Sequence, residues 1–156
     1  MELTRSFTPE QFAQGLEAWQ WADIGTKIPL FTSPFGDVFF RADDGFWWLD
    51  TLQGCLARVW ANAAALKADL ATASGQDQYL LAGLAFSAES RGLVPDPGQV
   101  YNFKTLPVLG GALDADNIET IDFVVGLHLA GQIHEQIQNL PPGTRISGLT
   151  INTEST

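Results

Sequence analysis

A chain of 156 residues with 46% hydrophobic and 17% charged residues is long and apolar enough to fold around one core, which excludes intrinsic disorder. Eighteen acids against eight Lys and Arg give a formal charge of −10, a balance that repels nucleic acid and anionic membrane surfaces and suits a basic partner. The one cysteine, Cys55, excludes an internal disulfide; with no activating neighbour in Gly54-Cys55-Leu56 it reads as a buried, inert thiol in a reducing compartment.

The opening Met1-Glu2-Leu3-Thr4-Arg5-Ser6 lacks the apolar stretch of a secretory signal. No segment approaches the ~18 apolar residues of a membrane span. The expected location is therefore the cytoplasm. Thr8-Pro9-Glu10-Gln11 is a helix start: Thr8 caps, Pro9 suits the first helical position, and Gln11 completes a capping box. Phe7 and Phe12 form a hydrophobic staple across it. Phe12, Leu16 and Trp19 follow at helical spacing, so an amphipathic helix is expected over about residues 9–21.

Short strands follow. They are expected over Lys27–Thr32, Asp37–Arg41, Phe46–Asp50 and Cys55–Trp60, separated by turns at Ser33–Gly36, Ala42–Gly45 and Thr51–Gly54. The Asp44-Gly45 pair favours a tight hairpin. Turns at roughly ten-residue intervals describe an antiparallel meander. Asn62 then caps an Ala-rich helix through Leu70. A second helix is expected over Gln76–Ser90, with Leu80, Leu81, Leu84 and Ala88 on one face, and stops at Gly92. Gln99–Lys104 reads as a strand, Leu109-Gly110-Gly111 as a tight backbone feature needing positive φ or close approach, and Ile118–Leu127 as a buried strand. Leu129–Leu140 reads as a helix stopped by Pro141-Pro142-Gly143, and residues 152–156 as a frayed polar tail. The fold class is α+β: one domain over residues 1–156, an antiparallel sheet covered by helices. Phe39, Trp48, Leu49, Tyr101 and Phe103 are the expected core.

No phosphate loop, dinucleotide fingerprint or nucleophile elbow is present. His128 and His134 are six residues apart, where two zinc ligands on one helix prefer four, so structural or surface roles are expected. Asp114, Asp116 and Glu119 resemble part of a calcium loop, but Ile118 stands where an oxygen ligand belongs and Glu119 where glycine makes the turn. Asp43 and Asp44 read as solvated turn formers. The aromatics Phe39, Phe40, Phe46, Trp47 and Trp48 read mainly as core. No catalytic residue, cofactor or metal ligand is assigned.

Two sets of strings resemble a known family. Phe35-Gly36-Asp37-Val38-Phe39-Phe40 and Trp48-Leu49-Asp50-Thr51-Leu52-Gln53-Gly54 resemble its opening. Gly98-Gln99-Val100-Tyr101-Asn102-Phe103-Lys104 and Pro107-Val108-Leu109-Gly110-Gly111 resemble its second signature, with Asn117-Ile118-Glu119 and His128-Leu129 in order after them. Over about residues 29–140 the chain is similar to the C-terminal domain of immunity proteins that protect against type VI-secreted DNase toxins. The resemblance implies a protein that binds and neutralises a toxin, a basic nuclease, by occlusion, and is not an enzyme. An inhibitor of a nuclease meets a surface shaped for polyphosphate, which an acidic protein complements. The acids of the two loops, Asp43, Asp44, Asp114, Asp116 and Glu119, are the expected partner contacts. No direct contact with nucleic acid or membrane is expected. The alternative is an acidic protein-interaction or small-ligand-binding domain without a toxin partner, and the residues do not define the oligomeric state.

Overall fold

The structure, a computed structural model, describes residues 2–140. Helix α1 (Pro9–Leu16) starts as its residues dictate. The Gln11 N–H donates to Thr8 Oγ1 at 3.1 Å, and Gln11 Oε1 accepts from the Thr8 N–H at 2.9 Å. Phe7 meets Phe12 edge to face at 6.2 Å. The helix expected to run to residue 21 is α-helical only to Leu16; Glu17–Ala22 winds more tightly as a 3₁₀ segment, ending at left-handed Asp23. Tertiary hydrogen bonds explain the change. The Trp19 indole donates to the Leu127 carbonyl at 2.8 Å, and the Trp21 indole to the carbonyls of Ala18 (2.8 Å) and Gly131 (3.2 Å).

Strands β1 (Ile28–Thr32), β2 (Val38–Ala42), β3 (Gly45–Asp50) and β4 (Cys55–Trp60) form the expected antiparallel meander, in spatial order β1-β2-β3-β4. Period-two alternation sends its side chains to two cores. Val38, Phe40 and Leu49 join Phe12, Leu16, Trp19, Phe123 and Leu127 on one face. Phe39 joins Trp60, Leu66, Tyr79 and Leu80 on the other, with Phe46 and Trp48 packed against them. Ala42 pairs with Gly45 across a two-residue loop, Asp43-Asp44, and the positive φ falls on Gly45 rather than on the loop residues.

Asn62 Oδ1 accepts from the Ala65 N–H at 2.9 Å and starts α2 (Ala63–Leu70). The single helix expected over 76–90 is two: α3 (Ala73–Leu80) and α4 (Ala82–Ser90), broken at Leu81 with φ +50°. Asp77 Oδ1 accepts from the Gly83 N–H at 3.1 Å and satisfies a free donor of the second helix. The break lets one segment serve two cores. Tyr79 and Leu80 pack with Phe39 and Trp60, whereas Leu81, Leu84, Ala85 and Ala88 pack with Phe35, Tyr101, Phe103 and Ile118. The stop at Gly92 is as expected: the Gly92 N–H donates to the Glu89 carbonyl at 2.8 Å and the Leu93 N–H to that of Ala88 at 3.1 Å.

Strand β5 (Gln99–Phe103) pairs antiparallel with β6 (Ile118–Asp122) in a separate two-stranded sheet. The strand expected over 118–127 ends at Asp122, whose Oδ2 accepts from the Val125 N–H at 3.0 Å and caps α5 (Phe123–Gln138). That helix begins six residues before the expected Leu129 because the cap overrides the β-branched Val124 and Val125. The stop at Pro141-Pro142-Gly143 and the tail over 152–156 lie outside the described residues. The architecture is the expected α+β, with its antiparallel strands divided between two sheets. Of the expected core, Phe39, Leu49, Tyr101 and Phe103 are buried, and Trp48 is half-buried. Cys55 departs from expectation: it is exposed at the start of the edge strand β4, where no layer covers it. Among the described residues no helix is long and apolar enough to cross a membrane.

Candidate interaction site

The buried polar groups of the chain converge on one node. Asp37, only 2% exposed, accepts at Oδ2 from the Ser33 hydroxyl (2.7 Å) and at Oδ1 from the Thr51 hydroxyl (2.6 Å) and N–H (2.8 Å). Burial pushes the Asp37 pKa up to about 6, with help from the charge of Asp50 and against the hydrogen bonds of Thr51 and Ser33. Buried His134 donates from Nε2 to the Thr51 carbonyl at 2.8 Å. Burial lowers the His134 pKa, opposed by that carbonyl and by Asp50. The node thus ties the β1–β2 turn, the β3–β4 turn and α5 together. Ser33 and Asp37 are sealed from solvent, so the node braces the fold rather than meeting a substrate. Beside it, Thr51, Asn102, Phe103 and Gly126 line a cavity of about 30 Å³, room for a water molecule or two.

The exposed counterpart is the loop between β5 and β6. Asn117 closes it: Oδ1 accepts from the Thr105 N–H (2.9 Å), and Nδ2 donates to the carbonyls of Thr105 (2.8 Å) and Ala112 (2.9 Å). Gly110 takes φ +97°, and a Cβ on Gly111 would collide with the Thr105 carbonyl. Both glycines therefore serve the tight turn expected of them. Such a compact, internally bonded loop holds its side chains in fixed places. It presents Leu109 (37% exposed) and Leu113 (57%) to solvent. Asp114 Oδ1 accepts from the Asp116 N–H at 2.8 Å, and Asp116 forms a salt bridge with exposed Arg91 at the end of α4.

The five expected contact acids are not one patch. Asp114 and Asp116 share the loop, and Glu119, half-buried, follows on β6 opposite Asn102. Asp43 and Asp44 stand at the β2–β3 tip, where Asp44 Oδ1 accepts from the Trp47 indole (2.8 Å) and its carbonyl from Arg58 Nε (2.5 Å). At the other end of β3, Leu52 packs on the Phe103–Ile118 cluster. The six residues of β3 rise roughly 3.3 Å each, so about 20 Å separates the two ends. Sequence reasoning missed the organising role of Asn117 and the Asp37–Thr51–His134 node. For Asp37 the signal was a polar residue inside an otherwise apolar string, Phe35–Phe40, whereas Asn117, set among Asp114, Asp116 and Glu119, carries no such signal. Among the described residues no group of three or more His, Cys, Asp or Glu side chains is placed to hold a metal.

The geometry defines an α+β domain whose buried polar groups brace the fold and whose exposed features are a pinned loop and acidic tips. Residues 61–134 match the family described as T6SS (type VI secretion) immunity protein Tdi1, C-terminal. The chain resembles that family over α2, α3, α4, β5, the pinned loop, β6 and α5 as far as His134. The strings Gly98–Lys104, Pro107–Gly111, Asn117–Glu119 and His128–Leu129 fall inside the match, whereas Phe35–Phe40 and Trp48–Gly54 precede it. No curated protein matches the chain.

Proposed function

We propose that this protein is a type VI secretion immunity protein that binds a secreted toxin and neutralises it by occlusion, and that the toxin is a nuclease acting in the cytoplasm. The match of residues 61–134 to an immunity-protein family carries the reading. The formal charge of −10 supports the nuclease, because a surface that grips polyphosphate is basic and an acidic inhibitor complements it. In this reading Asp43, Asp44, Asp114, Asp116 and Glu119 steer the encounter. Leu109 and Leu113, held out by the pinned loop, supply apolar anchors of the kind that carry binding energy.

The test is recovery of the partner toxin from the native cell by pull-down with this protein, followed by co-expression, purification and a DNA-degradation assay. The expected result is a complex of fixed stoichiometry in which degradation is suppressed in proportion to the immunity protein added. Neutralisation of a toxin that attacks no nucleic acid would keep the immunity role and remove the nuclease. Full toxin activity in excess of the protein would remove both.

A further inference from the structure

Helix α1 and strand β1 wall a groove of about 410 Å³. It lies within the roughly 300–1,000 Å³ range of binding pockets and outside the segment matched to the family. Phe12, Leu16 and Ile24 are buried at its base, and Ala13 on α1 and Ile28 on β1 are exposed at its lips. Ile28 keeps 48% of its surface in solvent, whereas Val38, Phe39 and Phe40 on the neighbouring strand β2 are fully buried.

The strand wall cannot template another strand. Pro29 has no N–H to donate, and the register of β1 slips between Pro29 and Phe31. Thr32 already exchanges both main-chain hydrogen bonds with Arg5, at 2.9 Å each. An occupant must therefore bring its main chain already paired, as a helix does. The charge of the rim sets its other property. Glu10 on α1 and Glu17 at its C-terminal cap are exposed three and four residues from Ala13, and exposed Asp23 adjoins Ile24. The acids flank the groove, and the charged residue in its lining is Lys27, whose ammonium is taken up by the carbonyls of Asp23 (3.0 Å) and Ile24 (3.4 Å) and lies 4.4 Å from the Trp47 ring centroid.

We infer that the α1–β1 groove receives an amphipathic helix of a partner protein, its apolar stripe against Phe12, Leu16 and Ile28 and its Lys or Arg residues against Glu10, Glu17 and Asp23. A second copy of this chain is disfavoured as the occupant, since it carries the same −10 charge. The inference holds whether or not the partner is a nuclease.

The probe is a synthetic helical peptide of about four turns, with Leu on one stripe and Lys elsewhere. Its control has the same composition with the stripe scrambled. Titrated into isotope-labelled full-length protein, the striped peptide should give saturable amide shifts at Ala13, Leu16, Ile24 and Ile28, and the scrambled one should not. Ala13→Arg and, separately, Gln20→Arg place a cation on exposed positions of the lip and should weaken binding by at least about tenfold. Glu10→Lys with Glu17→Lys should weaken it and flatten its salt dependence. Equal shifts from both peptides, shifts confined to the other acidic loops, or unchanged affinity in both Arg variants would overturn the inference. So would a dimer, seen by light scattering, that Ala13→Arg disperses, since the groove would then belong to a second copy.

Discussion

A Cβ on Gly54 would lie 2.5 Å from Nδ1 of His134, so the β3–β4 turn and the end of α5 interlock without room for one more carbon. Gly54 also holds φ +71°. Gly54→Ala therefore combines left-handed strain of about 1–2 kcal/mol with loss of the His134–Thr51 hydrogen bond, worth about 1 kcal/mol. The expected outcome in urea unfolding is a loss of about 2–3 kcal/mol. In a His134→Ala background the same substitution should cost about 1 kcal/mol less, because the steric conflict has gone.

Two buried groups of the node respond to pH in opposite senses. The folded pKa of Asp37, about 6, exceeds its ordinary 3.8, so the stability it contributes is full below about pH 4 and is lost as pH rises through about 6. The shift corresponds to about 3 kcal/mol. His134 is depressed below its ordinary 6.5, so its contribution is full above that value and is lost as the solution is acidified through its folded pKa. Asp37→Asn should leave the His134 response exposed, and stability should fall more steeply than in the wild type between pH 7 and pH 5. His134→Gln should do the reverse, giving a protein whose urea midpoint rises on acidification from pH 7 toward pH 4.

Asn117 holds three hydrogen bonds across the β5–β6 loop. Asn117→Ala removes them all and leaves the Thr105 groups to water, at an expected cost of about 1–3 kcal/mol. The more informative readout is hydrogen exchange. Amides of residues 105–117 should lose protection while those of β2 and β3 keep theirs, since the meander packs through other contacts. Loss of protection throughout the chain would mean that the loop is part of the global fold rather than a braced appendage.

The elements most readable in the sequence were those set by local chemistry. The Thr8–Gln11 capping box, the Asn62 cap and the alternation of β2 and β3 act within a few residues, and each appears where its residues place it. The misplaced boundaries have non-local causes. Leu81 carries no sign that it will adopt φ +50°; the break follows from two separate cores competing for one helical stretch. Trp19 looks like one more residue of an amphipathic stripe until α5 offers the Leu127 carbonyl. Cysteines are usually buried, yet Cys55 is exposed on a strand at the sheet edge, a placement that composition does not reveal. Asp43, Asp44, Asp114 and Asp116 are exposed as their loops suggest, Glu119 only partly, but the division of these acids between opposite ends of β3 depends on which turn packs against β5, a tertiary fact.

That division shapes the test of the acid-steered encounter. Changing Asp43 and Asp44 to their amides removes charge from one end of the sheet, and changing Asp114 and Glu119 removes it from the other. If the toxin engages the pinned loop, the second pair should lower the association rate the more, and the rate of the wild type should fall steeply as added salt shortens the Debye length to about 8 Å near physiological strength. Asp116 is a special case because Arg91 already balances it. Asp116→Asn alone should lower the association rate by freeing Arg91 to oppose a basic partner. Asp116→Asn with Arg91→Gln should restore the wild-type rate, since it removes one charge of each sign. The apolar anchors should behave differently: Leu113→Ala should leave association nearly unchanged and raise the dissociation rate by about tenfold or more. These rates are measured by stopped-flow mixing of the purified protein with its cognate toxin across a salt series. Equal effects from both acid pairs would place the contact away from the loop, and no salt dependence at all would remove acidic steering from the mechanism.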